Sequence, residues 1–128
     1  DRDEAQDTPP AWCLVQERLS ADRAPDPKRL PPHQALLDAD AVDSLGLHPE
    51  VRTRKPGDHI QPLGGPGTKK LQDHFVDAKV PRSLRDRIPL VCCGSEVLWI
   101  QGGTVNEKYK VTPLSQRVIL LEIHERIC

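Results

Sequence analysis

Apolar residues in this chain come in short runs separated by proline, glycine and charge. Over Trp12–Leu19 they alternate. Trp12, Leu14 and Gln16 fall on one side and Cys13 and Val15 on the other, which predicts a strand. Residues 35–42 predict a short apolar strand running into polar residues. Val51, Thr53 and Lys55 alternate with Arg52 and Arg54, the spacing of a strand that shows its arginines to water or ligand. Leu90–Cys93 and Glu96–Ile100 flank Gly94-Ser95, and glycine first in a two-residue loop signals a type II′ hairpin. Lys108–Thr112 and Arg117–Ile123 predict the last two strands.

Helical spacing occurs in one central region. Leu71, Phe75 and Ala78 fall at i, i+4 and i+7, predicting a buried stripe on a helix over 69–79 with Thr68 as its N-cap. Pro81 opens a second short helix over 82–88, closed by Pro89. Pro56-Gly57-Asp58 is a turn signal, and residues 63–67 form a glycine-rich loop. Residues 1–10 end in Pro-Pro, and 20–32 hold four prolines among charges. The expected organisation is an acidic, Pro-rich tail and linker over 1–34, with one strand at 11–19, followed by a domain over 35–128. Strands, then two short helices, then strands imply an α+β chain, mainly β: a small β-sandwich with helices on one side.

Composition narrows this picture. With 128 residues the chain is one domain, or one domain and a tail. Its only aromatics are Trp12, Phe75, Trp99 and Tyr109, too few for a base-stacking sheet. No apolar run approaches the roughly 18–20 residues of a membrane span. The absence of Met suggests a piece cut from a longer polypeptide or a processed chain. Cys13, Cys92, Cys93 and Cys128 lack CxxC spacing, which suits a reducing, cytoplasmic setting, with Cys92 and Cys93 as core residues. His124 and Cys128 lack a second pair to complete a metal site, and none is expected.

Net charge is −1, yet it is split along the chain. Residues 1–45 carry five basic and ten acidic side chains, whereas 52–87 carry nine basic and four acidic. Lys69 and Lys70 stand where a helix start prefers acids, next to a glycine-rich loop. Gly64, Gly65, Gly67, Thr68, Lys69 and Lys70 therefore form a candidate phosphate site. Arg52, Arg54, Lys55, Lys79, Arg82, Arg85 and Arg87 extend it into a basic surface. The bland alternative is a solvated helix end with scattered charges, and Arg85 or Arg87 pairing with Asp77 or Asp86. A Walker A loop fails, because Thr68 follows Gly67 and no Ser or Thr follows Lys69. No nucleophile–base set stands out, so no catalytic residue is assigned. The five histidines read as surface or turn residues.

The ordered pieces Pro56-Gly57-Asp58, Gly67-Thr68-Lys69-Lys70-Leu71, Lys79-Val80-Pro81-Arg82 and Arg85–Leu90 resemble the C-terminal domain of bacterial tRNA(Ile)-lysidine synthetase. Residues 35–40, 96–100 and 107–112 fit the flanking strands, so the resemblance covers about 35–123. It departs at His59, where Arg is common, at Ser83, where an aromatic is frequent, and at the shortened Thr104-Val105-Asn106. The resemblance implies a sandwich of unusual topology, like a domain of phenylalanyl-tRNA synthetase, that grips the tRNA acceptor stem. The family's enzyme uses ATP, with Mg, to attach lysine to the wobble cytidine of tRNA(Ile). Its Ser-Gly-Gly-x-Asp-Ser loop belongs to a catalytic N-terminal domain and is missing from this sequence. The implied partners are tRNA and that catalytic domain. The alternative is an interaction module, including a homodimer, without RNA contact.

Overall fold

The structure is a computed structural model that describes residues 12–125, so the expectations for residues 1–10 and Cys128 fall outside it. Three strands, β1 (Trp12–Ser20), β2 (Gln34–Asp38) and β8 (Arg117–Glu125), form one antiparallel sheet in the order β1-β8-β2. β8 is paired along its whole length, from Trp12 opposite Glu125 to Ser20 opposite Arg117. Its alternation sends Ile119, Leu121 and Ile123 inward, and Trp12 and Leu14 of β1 pack on the same core. The strand expected inside the Pro-rich segment is thus an edge strand of this sheet. The expected division after residue 34 falls at the first residue of β2, and β1 and β2 both pair with β8.

The apolar segment at 35–42 is not one strand. β2 ends at Asp38, whose Oδ1 accepts the Ala41 amide at 2.9 Å and starts α1 (Ala39–Asp43). An aspartate followed by Ala-Asp-Ala-Val is an N-cap before a helical turn, and that local bond outweighs continued pairing.

The second sheet runs β3-β6-β7-β4-β5, with β3 (Glu50–Arg52), β4 (His59–Ile60), β5 (Lys69–Lys70), β6 (Leu90–Cys93) and β7 (Glu96–Ile100). The β6–β7 hairpin turns at Gly94, where φ is 58°, so its left-handed backbone favours glycine. Leu98 has no partner on β6, a bulge opposite Val91 and Cys92. Both faces of the hairpin are buried. Val91, Cys93, Leu98 and Trp99 face the first sheet, and Leu90, Cys92, Val97 and Ile100 join Ile60, Leu71 and Phe75 in a second core. Burial pushes the Cys92 thiol up to about 12 and the Cys93 thiol up as well, as expected of core cysteines.

The helices are shorter than their sequence patterns suggest. α2 covers Leu71–Asp77, and Lys69 and Lys70 are strand residues opposite Ile60 and His59. Thr68 is therefore not the N-cap. The Leu71 amide instead donates to the Asp58 carbonyl at 2.9 Å. Leu71 and Phe75 are buried as predicted, but Ala78 is the exposed C-cap. Val80 N donates to Phe75 O and Lys79 N to Val76 O, a Schellman close with Lys79 at φ 59°. α3 is the single turn Arg82–Arg85. Lys108–Thr112 is not a strand. Asn106 Oδ1 accepts the Lys108 amide at 3.0 Å, and Glu107–Tyr109 winds into a 3₁₀ turn.

Candidate nucleic-acid interface

The Pro56-Gly57-Asp58 turn is held from inside. Arg52 Nη1 and Nη2 donate to the two Asp58 oxygens at 2.9 Å each, and further bonds reach the carbonyls of Thr53 and Gly94. Only 12% of the Arg52 side chain and 2% of the Asp58 side chain are exposed. Burial alone would raise the Asp58 carboxyl, but the Arg52 guanidinium and the Lys55 amide outweigh it and hold it below its ordinary value. The sequence pattern suggested that Arg52 and Arg54 both face solvent or ligand. Arg52 instead turns inward, because the buried Asp58 needs a bidentate donor.

The glycine-rich loop is tied to the chain around residues 104–107. Leu63 N donates to Thr104 Oγ1 at 2.9 Å, and Gly64 N to Glu107 Oε1 at 2.8 Å. Gly65 N donates to Pro62 O at 2.8 Å, and a Cβ there would stand 2.9 Å from that same oxygen, so only glycine fits. The amides of Gly64 and Gly65 are thus already engaged, by Glu107 and Pro62. Gly67 and Thr68 stay exposed. Together with Lys69, His74 and Asp77 they line an open groove of about 600 Å³. Burial and the nearby Lys69 charge lower the His74 pKa, favouring its neutral form.

The remaining cations lie in the segments that carry and follow this turn and groove along the chain. Lys55, Lys70, Lys79, Arg82 and Arg87 are exposed and make no ion pair among the described residues. Arg85 Nε caps the Val80 carbonyl at 2.9 Å. Arg54 Nε reaches Asp86 Oδ1 at 2.7 Å, and Lys69 Nζ reaches Asp77 Oδ2 at 2.5 Å. The first of these pairs joins the 52–58 turn to α3, and the Asp58–Leu71 backbone bond joins it to α2. Local sequence shows none of these long-range links. The described surface here carries exposed cations, and the four aromatics of the chain lie outside it.

A polar hub beside the interface is absent from the sequence reading. Glu96 lies within 2.6 Å of His59 Nε2 and 3.0 Å of Lys108 Nζ, and it accepts from Tyr109 Oη at 3.1 Å and Asn106 Nδ2 at 3.2 Å. His59, expected as a surface or turn residue, is a strut between β4 and β7. Burial, then the Glu96 charge, pushes the Tyr109 hydroxyl up to about 12. The available signal was a lone acid heading an otherwise apolar run at 96–100. Among the described residues, no three His, Cys, Asp or Glu side chains converge to hold a metal ion.

Comparison with known proteins agrees with this geometry. The family model described as "TilS substrate C-terminal domain" matches residues 50–122. The tRNA(Ile)-lysidine synthase of Caldanaerobacter subterraneus subsp. tengcongensis is 46% identical over 72 residues, 56% of this chain and 15% of that protein. That of Symbiobacterium thermophilum is 38% identical over 100 residues, 78% of this chain and 20% of that protein. The chain thus spans about a fifth or less of these relatives. A solved structure described as "Crystal structure of TILS C-terminal domain" superposes with a TM-score of 0.64 at 30% identity, over 91% of this chain and 86% of that one. That coverage exceeds what residues 35–128 alone supply, so the likeness reaches into the segment that carries β1. With a family match over more than half its length and the same two-sheet fold, the chain belongs to the family of TilS C-terminal domains.

Proposed function

We propose that this chain is a non-catalytic tRNA-binding domain of a lysidine-forming ligase and that it grips the acceptor-stem end of tRNA(Ile). The observation that carries the reading is the set of exposed cations, Lys55, Lys70, Lys79, Arg82 and Arg87, without ion pairs among the described residues of a TilS C-terminal domain. Acceptor-stem RNA presents phosphates and 2′-hydroxyls more than readable base edges, and lysines and arginines suit such contacts. The Gly65–Lys69 loop, with Thr68 exposed at its edge, supplies the shallow groove beside them. On this reading the ATP, Mg and lysine of the reaction are handled by a catalytic domain elsewhere in a cytoplasmic enzyme.

Filter-binding titration of the chain against tRNA(Ile) tests this. Affinity should fall linearly in log–log against salt. Exchanging Lys70, Lys79 and Arg82 together for Ala should weaken binding at every salt concentration and flatten that slope. Absence of binding at low salt, with a stable dimer seen by light scattering, favours the alternative interaction module.

A further inference from the structure

The basic residues of the interface are not all equally available. Arg52, Arg54 and Lys69 make four ion pairs there, one of them from Arg52 to the exposed Glu50 at 3.4 Å, and the pairs differ in which partner faces water. In Arg52–Asp58 both side chains are buried, so that pair is part of the frame. In the Arg54 and Lys69 pairs the acid is the outer partner. Asp77 is 64% exposed against 34% for Lys69, and Asp86 is 76% exposed against 28% for Arg54. Each carboxylate is therefore the more exposed partner and already holds the ion-pair contact that an incoming anion would make with its cation. Asp77 also lines the groove made by residues 65–69. The two pairs involve different elements, one bridging β5 to α2 and the other the 52–58 turn to the end of α3.

We propose that Asp77 and Asp86 are specificity-determining residues that occupy the positions of RNA phosphates on Lys69 and Arg54 and yield only to an RNA that engages both cations together. The inference rests on the tRNA-binding function proposed above and names how that site selects its ligand. Exposed ion pairs are weak, so each carboxylate is displaceable by a phosphodiester of like charge. A single stray phosphate exchanges one anion for another and gains little. A folded RNA holds phosphates at both cations together without the ordering cost that a flexible polyanion pays to reach the same two places. The acids thus penalise unstructured polyanions more than the matched RNA.

The test measures the binding of tRNA, unstructured polyuridylate and heparin by the chain carrying Asp77→Asn, Asp86→Asn or both. Asn is nearly isosteric, and both sites are exposed, so thermal melts should overlay those of the unsubstituted chain. Each exchange is expected to tighten polyuridylate and heparin binding about two- to fivefold. Binding of tRNA should tighten less. Asp73→Asn, an exposed acid on α2 with no ion pair among the described residues, makes the same change in net charge and serves as the control. The effect of Asp77→Asn should vanish in a Lys69→Ala background, because the acid acts through that ammonium. Equal gains from Asp73→Asn, or a gain that survives Lys69→Ala, overturn the proposal. So does tRNA tightening as much as heparin. If the unsubstituted chain and all variants fail to bind tRNA, the proposed function itself falls.

Discussion

Arg52 and Asp58, six residues apart, meet through two parallel hydrogen bonds of 2.9 Å and close the Pro56-Gly57-Asp58 turn on which the candidate interface is built. Removing the arginine leaves a buried carboxylate without its counter-charge. Arg52→Ala is expected to cost on the order of 3 kcal/mol in urea unfolding. Arg52→Lys should recover little of it, because one ammonium does not reproduce the fork. The Asp58 carboxyl sits below its ordinary value of 3.8, so it favours the folded state above that pH. Its contribution is lost as the pH falls through the lowered folded value. In Asp58→Asn this part of the acid sensitivity should disappear, which a series of melts below pH 4 checks.

Glu96 organises His59, Lys108, Asn106 and Tyr109. Its charge is one of the influences that raise the Tyr109 hydroxyl, after burial. Glu96→Gln should therefore bring the Tyr109 ionisation part of the way down from about 12, and an ultraviolet phenolate titration reads this directly.

Lys79 takes the left-handed position that closes α2, at φ 59°, where glycine carries no Cβ penalty. Lys79→Gly should stabilise the chain by about 1 kcal/mol while removing one cation from the interface. Higher stability with weaker tRNA binding is the expected joint result in calorimetry and filter binding. Unchanged affinity would remove Lys79 from the RNA contacts.

Asp38 serves two partners at once. Its Oδ1 caps α1 through the Ala41 amide, and its Oδ2 accepts the Ser115 hydroxyl at 2.6 Å. Asp38→Ala should cost about 1–2 kcal/mol, more than a cap alone, because it also releases the 112–115 turn. Ser115→Ala measures the second part separately by the same unfolding experiment.

The sequence by itself determined the elements whose signals are local. Alternation marked β1, Arg117–Ile123 read as the last strand, and Gly94-Ser95 marked the β6–β7 hairpin, because side-chain period and positive φ are properties of neighbouring residues. Leu71 and Phe75 were legible as a buried helical pair for the same reason. The ordered motifs from Pro56 to Leu90 carried the family. Tertiary structure decided the rest. A helix as short as α2 gains little by extending on its own, so Lys69 and Lys70 pair with β4, which lies next to β7. Arg52 turned inward because burying Asp58 required it, and Arg54 and Lys69 found acids 32 and 8 residues away. Which basic residues stay unpaired among the described residues follows from those long-range pairings, and a local pattern of charges contains no record of them.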